Sequence, residues 1–91
     1  MMTLVVYDIV DDRIRYRIAE ALKDYGLERI QYSAFTGRLN HNKREELNQR
    51  LRRTLGLEEG DIRIYVICEK DLRLKKEIIN ECADKDAAEG D

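Results

Sequence analysis

One carboxylate interrupts the apolar run Thr3-Leu4-Val5-Val6-Tyr7-Asp8-Ile9-Val10, and two more, Asp11 and Asp12, follow it at once. An ionised Asp8 among Val, Ile and Tyr is costly unless something compensates its charge. Two chemistries would do so. A divalent metal with oxygen ligands suits a carboxylate at a strand exit, where solvent and ligand can reach it. Alternatively, Asp8 accepts backbone N–H groups in the strand-to-helix turn. Arg13, Arg15 and Arg17 come next. The free N–H groups of a helix start, together with Arg15 or Arg17, would hold a phosphate near a metal on Asp8.

The elements that must position these groups are legible along the chain. Thr3 to Val10 predicts a strand buried on both faces, since its apolar run is unbroken save for Asp8. Asp11 or Asp12 caps a helix running to about Tyr25, with Ile14, Ile18, Ala21, Leu22 and Tyr25 on one face. On a helical wheel Arg15 and Arg17 flank that stripe on opposite borders, where they either snorkel over the core edge or reach a ligand, and Arg13 points further out. Gly26-Leu27 has the form of a Schellman stop. Arg29 to Leu39 is too long for one flat strand and is expected to turn near Ser33-Ala34 into two pieces. Asn40 or Asn42 opens a second helix through Leu47, Leu51 and Leu55, and Gly56-Leu57 repeats the earlier stop.

Asp61 to Cys68 reads as another strongly apolar strand. The order β-α-β-β-α-β is the ferredoxin-like arrangement, an α+β sandwich with an antiparallel sheet and two helices on one face. The two most hydrophobic strands are expected side by side in the middle of the sheet. A short strand is placed at Leu74 to Ile79. Residues 1–83 make one domain, and the small, acidic residues 84–91 are expected to be disordered.

Composition narrows the classes of function. Charged residues make up 40% of the 91, with no Pro or Trp. No apolar run is long enough for a membrane span or a signal peptide, so a soluble cytoplasmic protein is expected. Cys68 and Cys82 form no CxxC and stand beside a single His41, which excludes the usual zinc spacings and points to reduced thiols. His41, between Asn40 and Asn42, reads as part of a turn and cap, and a lone His gives no imidazole acid-base pair within one chain. The net charge of -2 conceals a split: residues 13–55 carry eleven Lys or Arg against five Asp or Glu, and residues 56–91 six against eleven. A basic half is suited to a nucleic-acid backbone, although each helix alone also reads as a solvated, salt-bridged surface. Lys43, Arg44, Arg50, Arg52 and Arg53 surround the second leucine stripe and suit phosphate contact rather than base reading. A domain this small is marginally stable alone, and dimerisation would help it.

The segments Tyr7-Asp8-Ile9-Val10-Asp11-Asp12-Arg13-Ile14-Arg15 and Gly26-Leu27-Glu28-Arg29-Ile30-Gln31-Tyr32-Ser33-Ala34-Phe35-Thr36-Gly37 closely resemble the small universal CRISPR-associated endonuclease family, Cas2. The likeness runs in order and spacing from residue 3 to about 68, and it rests on the Tyr-Asp-Ile strand end and the Gln-x-Ser-x-Phe hairpin. It implies a homodimer whose final strands extend onto the partner's sheet and whose two Asp8 side chains face each other across the twofold axis. A residue near a twofold axis meets its own copy. One Mg²⁺ or Mn²⁺ shared by the pair would relieve their repulsion and support phosphodiester hydrolysis.

The resemblance further implies that Arg15, Arg17 and Arg29 contribute to activity or substrate contact, and that Tyr7 and Phe35 lie near the interface. Arg13, Arg15, Arg17, Lys43, Arg44, Arg52 and Arg53 are the expected nucleic-acid contacts. Two compatible functions follow from it. One is a metal-dependent endonuclease for single-stranded RNA or double-stranded DNA that takes part in spacer integration with the CRISPR integrase; the other is a non-catalytic DNA-binding scaffold that bridges integrase dimers. Outside the family, a small-molecule regulator would need a concave pocket. An RNA-recognition module would need paired exposed aromatics that Tyr7 and Tyr65 do not supply by spacing.

Overall fold

The computed structural model describes residues 1–78. Its elements are β1 (Met2–Ile9), α1 (Asp12–Asp24), β2 (Glu28–Gln31), β3 (Ala34–Arg38), α2 (His41–Leu55), β4 (Gly60–Ile67) and the short α3 (Glu69–Leu72). All strand pairs are antiparallel, in the order β2-β3-β1-β4. This is the expected ferredoxin-like α+β sheet. Both long helices lie on one face, where Val5, Tyr7 and Ile9 of β1 and Phe35 of β3 pack against Ile18, Leu22, Leu47 and Leu51.

That one-sided layering corrects the expectation of strands buried on both faces. Along β1, Thr3, Val5, Tyr7 and Ile9 are buried, Leu4 and Val6 are half-buried, and Asp8 is exposed. A strand's side chains alternate between faces. With helices on one face only, Asp8 goes to the open face and needs no buried partner. β4 is likewise only half covered, and among the described residues it is an edge strand. The central pair is β1 and β3.

Asp11 is the N-cap of α1, its Oδ1 accepting from the N–H groups of Arg13 at 2.8 Å and Ile14 at 3.0 Å. The Ile14 N–H is the main influence holding this carboxyl below its ordinary value, opposed by desolvation and aided by the N–H and charge of Arg13. A folded-state pKa below the unfolded one stabilises the fold above the unfolded value, about 3.9. That stabilisation is lost as pH falls through the folded value. Asn caps comparably without titrating. Asp11→Asn is therefore expected to flatten the decline of melting temperature between about pH 5 and pH 2; a decline as steep as in the parent chain would refute the role.

At the other end of α1 the Schellman stop forms as expected. Gly26, at φ 84°, donates to the Lys23 carbonyl at 2.9 Å and Leu27 to that of Leu22 at 3.1 Å. Leu27 is buried. The supposed repeat at Gly56-Leu57 is different: Gly56 is itself the C-cap, donating to Arg52, and Leu57 is fully exposed with no apolar contact to make. Asn40 caps α2 through the Lys43 N–H at 2.8 Å, and His41 is its exposed first residue.

The strand expected at Leu74 to Ile79 is also corrected. The chain makes the single turn of α3 instead, and residues 74–78 take no regular structure. Ile79, Cys82 and the expected disordered tail 84–91 lie outside the described residues. Cys68 forms no disulfide among the described residues, and its thiol lies 3.2 Å from a carboxylate oxygen of Asp71. Among the described residues no helix is long and apolar enough to cross a membrane.

Candidate nucleic-acid and metal site

Antiparallel pairing of β1 with β4 sets Asp8 directly opposite Asp61. Facing residues in such a pair share one side of the sheet, with Cβ atoms about 4.5–5.5 Å apart, and like charges there repel. Gly60, at the start of β4, makes this approach possible. Its φ is 151°, and a Cβ on it would lie 2.8 Å from the Asp8 carbonyl oxygen. Among the described residues Asp61 has only a loose partner in Arg63 at 3.9 Å, and the exposed Asp8 side chain makes no salt bridge.

Two adjacent, exposed carboxylates fit a hard divalent cation in kind. They do not make a full ligand set: among the described residues no group of three or more His, Cys, Asp or Glu converges. One chain thus offers half a site. A second copy would have to supply the rest.

Arg15 does not join Asp8. Its guanidinium donates to the Ile9 carbonyl at 2.8 Å and to that of Val10 at 3.4 Å, and forms an ion pair with Asp12. It therefore ties the end of β1 to the first turn of α1. Arg29 lies on the helix side of the sheet, opposite Phe35 in the β2–β3 register, with its Cζ 5.0 Å from the centroid of that ring. Tyr32, in the β2–β3 turn, has the Cζ of Arg15 and of Arg29 each 5.9 Å from its ring centroid. The Tyr7 N–H donates to the Ser33 carbonyl at 3.0 Å and anchors this turn to β1.

Tyr7 and Phe35 are core residues rather than interface residues. They are 2% and 0% exposed, with ring centroids 6.3 Å apart. Period-2 alternation decides this, because both project to the face covered by α1 and α2. Burial raises the Tyr7 phenol above its ordinary value, against the pull of Arg29, so it remains a hydrogen-bond donor. Sequence inspection assigned no role to Tyr32 or Asp61. Only the turn position of one and the register of the other mark them.

The remaining cations divide between the two ends of the sandwich. α1 begins where β1 ends, and α2 ends where β4 begins, so Arg13, Arg17, Arg52 and Arg53 share the end that carries Asp8. All four are exposed. Lys43 and Arg44 begin α2 at the opposite end. There Lys43 pairs with Glu46 at 3.7 Å, and Arg44 donates to the Leu39 carbonyl at 3.4 Å.

These features define a small ferredoxin-like α+β protein with the facing carboxylates of Asp8 and Asp61 on its open sheet face and cations at the neighbouring helix ends. Residues 1–75 match the family described as CRISPR associated protein Cas2. The chain belongs to that family. It is 58% identical over 78 residues to the CRISPR-associated endoribonuclease Cas2 of Desulforudis audaxviator (strain MP104C), covering 86% of this chain and 74% of the relative. It is 42% identical over 67 residues to the CRISPR-associated endonuclease Cas1/endonuclease Cas2 fusion of Thermoproteus tenax (strain ATCC 35583 / DSM 2078 / JCM 9277 / NBRC 100435 / Kra 1), covering 74% of this chain and 25% of the fusion. The crystal structure of a hypothetical protein from Thermus thermophilus, 36% identical, superposes with a TM-score of 0.73 over 88% of this chain and 90% of that one.

Proposed function

We propose that two copies of this chain form a twofold dimer that cleaves phosphodiester bonds in single-stranded RNA or double-stranded DNA. A divalent cation, Mg²⁺ or Mn²⁺, held by Asp8 of both protomers would polarise the phosphate and activate water. The observation that carries this reading is the position of Asp8. It is uncommitted and exposed on the open sheet face, beside half-covered Leu4 and Val6 and exposed Tyr65. An apolar strip beside an unmatched carboxylate suits a self-complementary interface. The chain's own residues divide the work. Asp8 binds the cation, with Asp61 adding negative potential; Arg15 fixes the strand exit that carries Asp8; Arg13, Arg17, Arg52 and Arg53 hold the backbone. The names of the relatives support a nuclease, RNA-directed in the case of the D. audaxviator protein.

The paired Cas1/Cas2 fusion supports a second, compatible role: the dimer bridges the CRISPR integrase and DNA during spacer acquisition. Its final strands would complete the partner's sheet at β4. A reducing cytoplasm would keep the Cys68 thiol reduced.

Two measurements test the proposal. Sedimentation equilibrium at micromolar concentration should give a dimer, and Leu4→Lys, which places a charge in the strip, should give a folded monomer. Incubation of the purified protein with RNA and DNA substrates should show cleavage with Mg²⁺ or Mn²⁺ and none with chelator. A folded parent monomer would remove the shared site, and metal-independent cleavage would remove the cation.

A further inference from the structure

A second place in the molecule is equipped for an anion, on the sheet face opposite Asp8. A cleft of about 250 Å³ lies between α1 and the β2–β3 hairpin, lined by Tyr7, Arg15, Tyr16, Lys23, Arg29 and Tyr32. Tyr7 reaches it from the core. That residue is 2% exposed, and its hydroxyl makes no hydrogen bond to another described residue. The cleft's two carboxylates are already matched by its own cations: Asp12 to Arg15, and Glu20 to Lys23 at 3.6 Å. Arg29 has no carboxylate partner among the described residues. Its guanidinium is held instead over the rings of Phe35 and Tyr32.

A stacked guanidinium keeps its N–H groups directed outward in the plane, available to an oxyanion. The Tyr7 hydroxyl beside it, open to the cleft and without a hydrogen bond to another described residue, supplies a further donor. We propose that this cleft binds the terminal phosphate of a nucleic-acid strand. Arg29 and the Tyr7 hydroxyl would grip its oxygens, Arg15 would add charge, and the terminal base would stack on exposed Tyr16 or Tyr32. The assignment to nucleic acid rests on the function proposed above. Depth favours a strand end, because a donor at the floor is reached by a phosphate that leads into the cleft, whereas a mid-chain phosphodiester must carry strand out on both sides. Charge favours it too. A monoester carries about -1.5 to -2 near neutral pH, and the uncompensated guanidinium of Arg29 faces it here.

The test is anisotropy with one oligonucleotide carrying a 5′-phosphate, a 3′-phosphate or hydroxyls only, in chelator so that no cleavage intervenes. The parent protein should bind one phosphorylated end roughly tenfold more tightly than the hydroxyl-ended strand. Tyr7→Phe, which keeps the ring in the core, and Arg29→Gln should each bring that ratio close to one at an unchanged melting temperature. Equal affinity of the parent for all three strands overturns the proposal, as does a ratio that survives in both variants. Cleavage is measured separately with metal. A parent protein that shows no end preference but intact metal-dependent cleavage therefore refutes only the phosphate site, and a parent with end preference but no cleavage refutes only the nuclease.

Discussion

Asp8→Asn is expected to abolish divalent-metal-dependent cleavage, a loss of at least about a hundredfold, while leaving the dimer and its affinity for duplex nearly intact. The asymmetry follows from where the residue lies. Asp8 is exposed on the open face, so the substitution leaves no cavity, and the isosteric amide fits the same strand position. Its carboxylate faces Asp61 and, in the proposed dimer, its own copy. Removing one negative charge per chain relieves repulsion at the interface. Dimerisation should then hold or tighten, while a divalent cation loses its best oxygen ligand. Initial cleavage rates across a Mg²⁺ titration, alongside sedimentation of the same preparation, decide the matter. Full cleavage by Asp8→Asn would remove the residue from the reaction, and dissociation into monomers would make its role structural.

The second large effect concerns salt. Reversing Arg13, Arg17, Arg52 and Arg53 to Glu should reduce the slope of log K against log salt for duplex binding by about three to four units, since each phosphate contact contributes roughly 0.9. Reversing Lys43 and Arg44 should change that slope by less than about one. The difference arises from topology and from occupancy. The first four side chains are exposed at the end of the sandwich that carries Asp8. The other two stand at the far end of α2, roughly 12–15 Å along the helix from Arg52 and Arg53, and are already engaged by Glu46 and the Leu39 carbonyl. Affinity should fall alike for unrelated sequences, because backbone contacts carry no base information. Equal slope changes in the two variants would mean that duplex lies along the whole of α2.

Much of the fold was legible because it is written in local chemistry. The 3.6-residue apolar spacing marked both helices, Asp11 and Asn40 sat at their caps, and Gly26-Leu27 closed α1, each depending on neighbours only a few residues away. The hairpin turn near Ser33 was readable for the same reason. Gly56-Leu57 misled because a Schellman stop needs an apolar surface to receive its second residue, and none lies beneath Leu57. The absence of a strand at residues 74–78 has a related cause: strand formation needs a neighbouring strand, which the residues after Cys68 do not find within the described chain.

The candidate site shows the same division more sharply. The sequence by itself determined that a carboxylate ends the first strand, that arginines crowd the helix after it, and that residues 13–55 are basic. Only the tertiary structure decided which of these groups share a face. Alternation along β1 sends Asp8 to the open side and Tyr7 to the core, so residues adjacent in the chain serve opposite surfaces. Antiparallel register places Asp61 beside Asp8 across fifty-odd residues of chain. Helix direction carries Arg52 and Arg53 to the end that Arg13 and Arg17 occupy, and leaves Lys43 and Arg44 at the other. Spacing along the chain specifies what each residue does within its own helix or strand, whereas pairing, register and layer order are set by long-range packing that minimises exposed apolar surface.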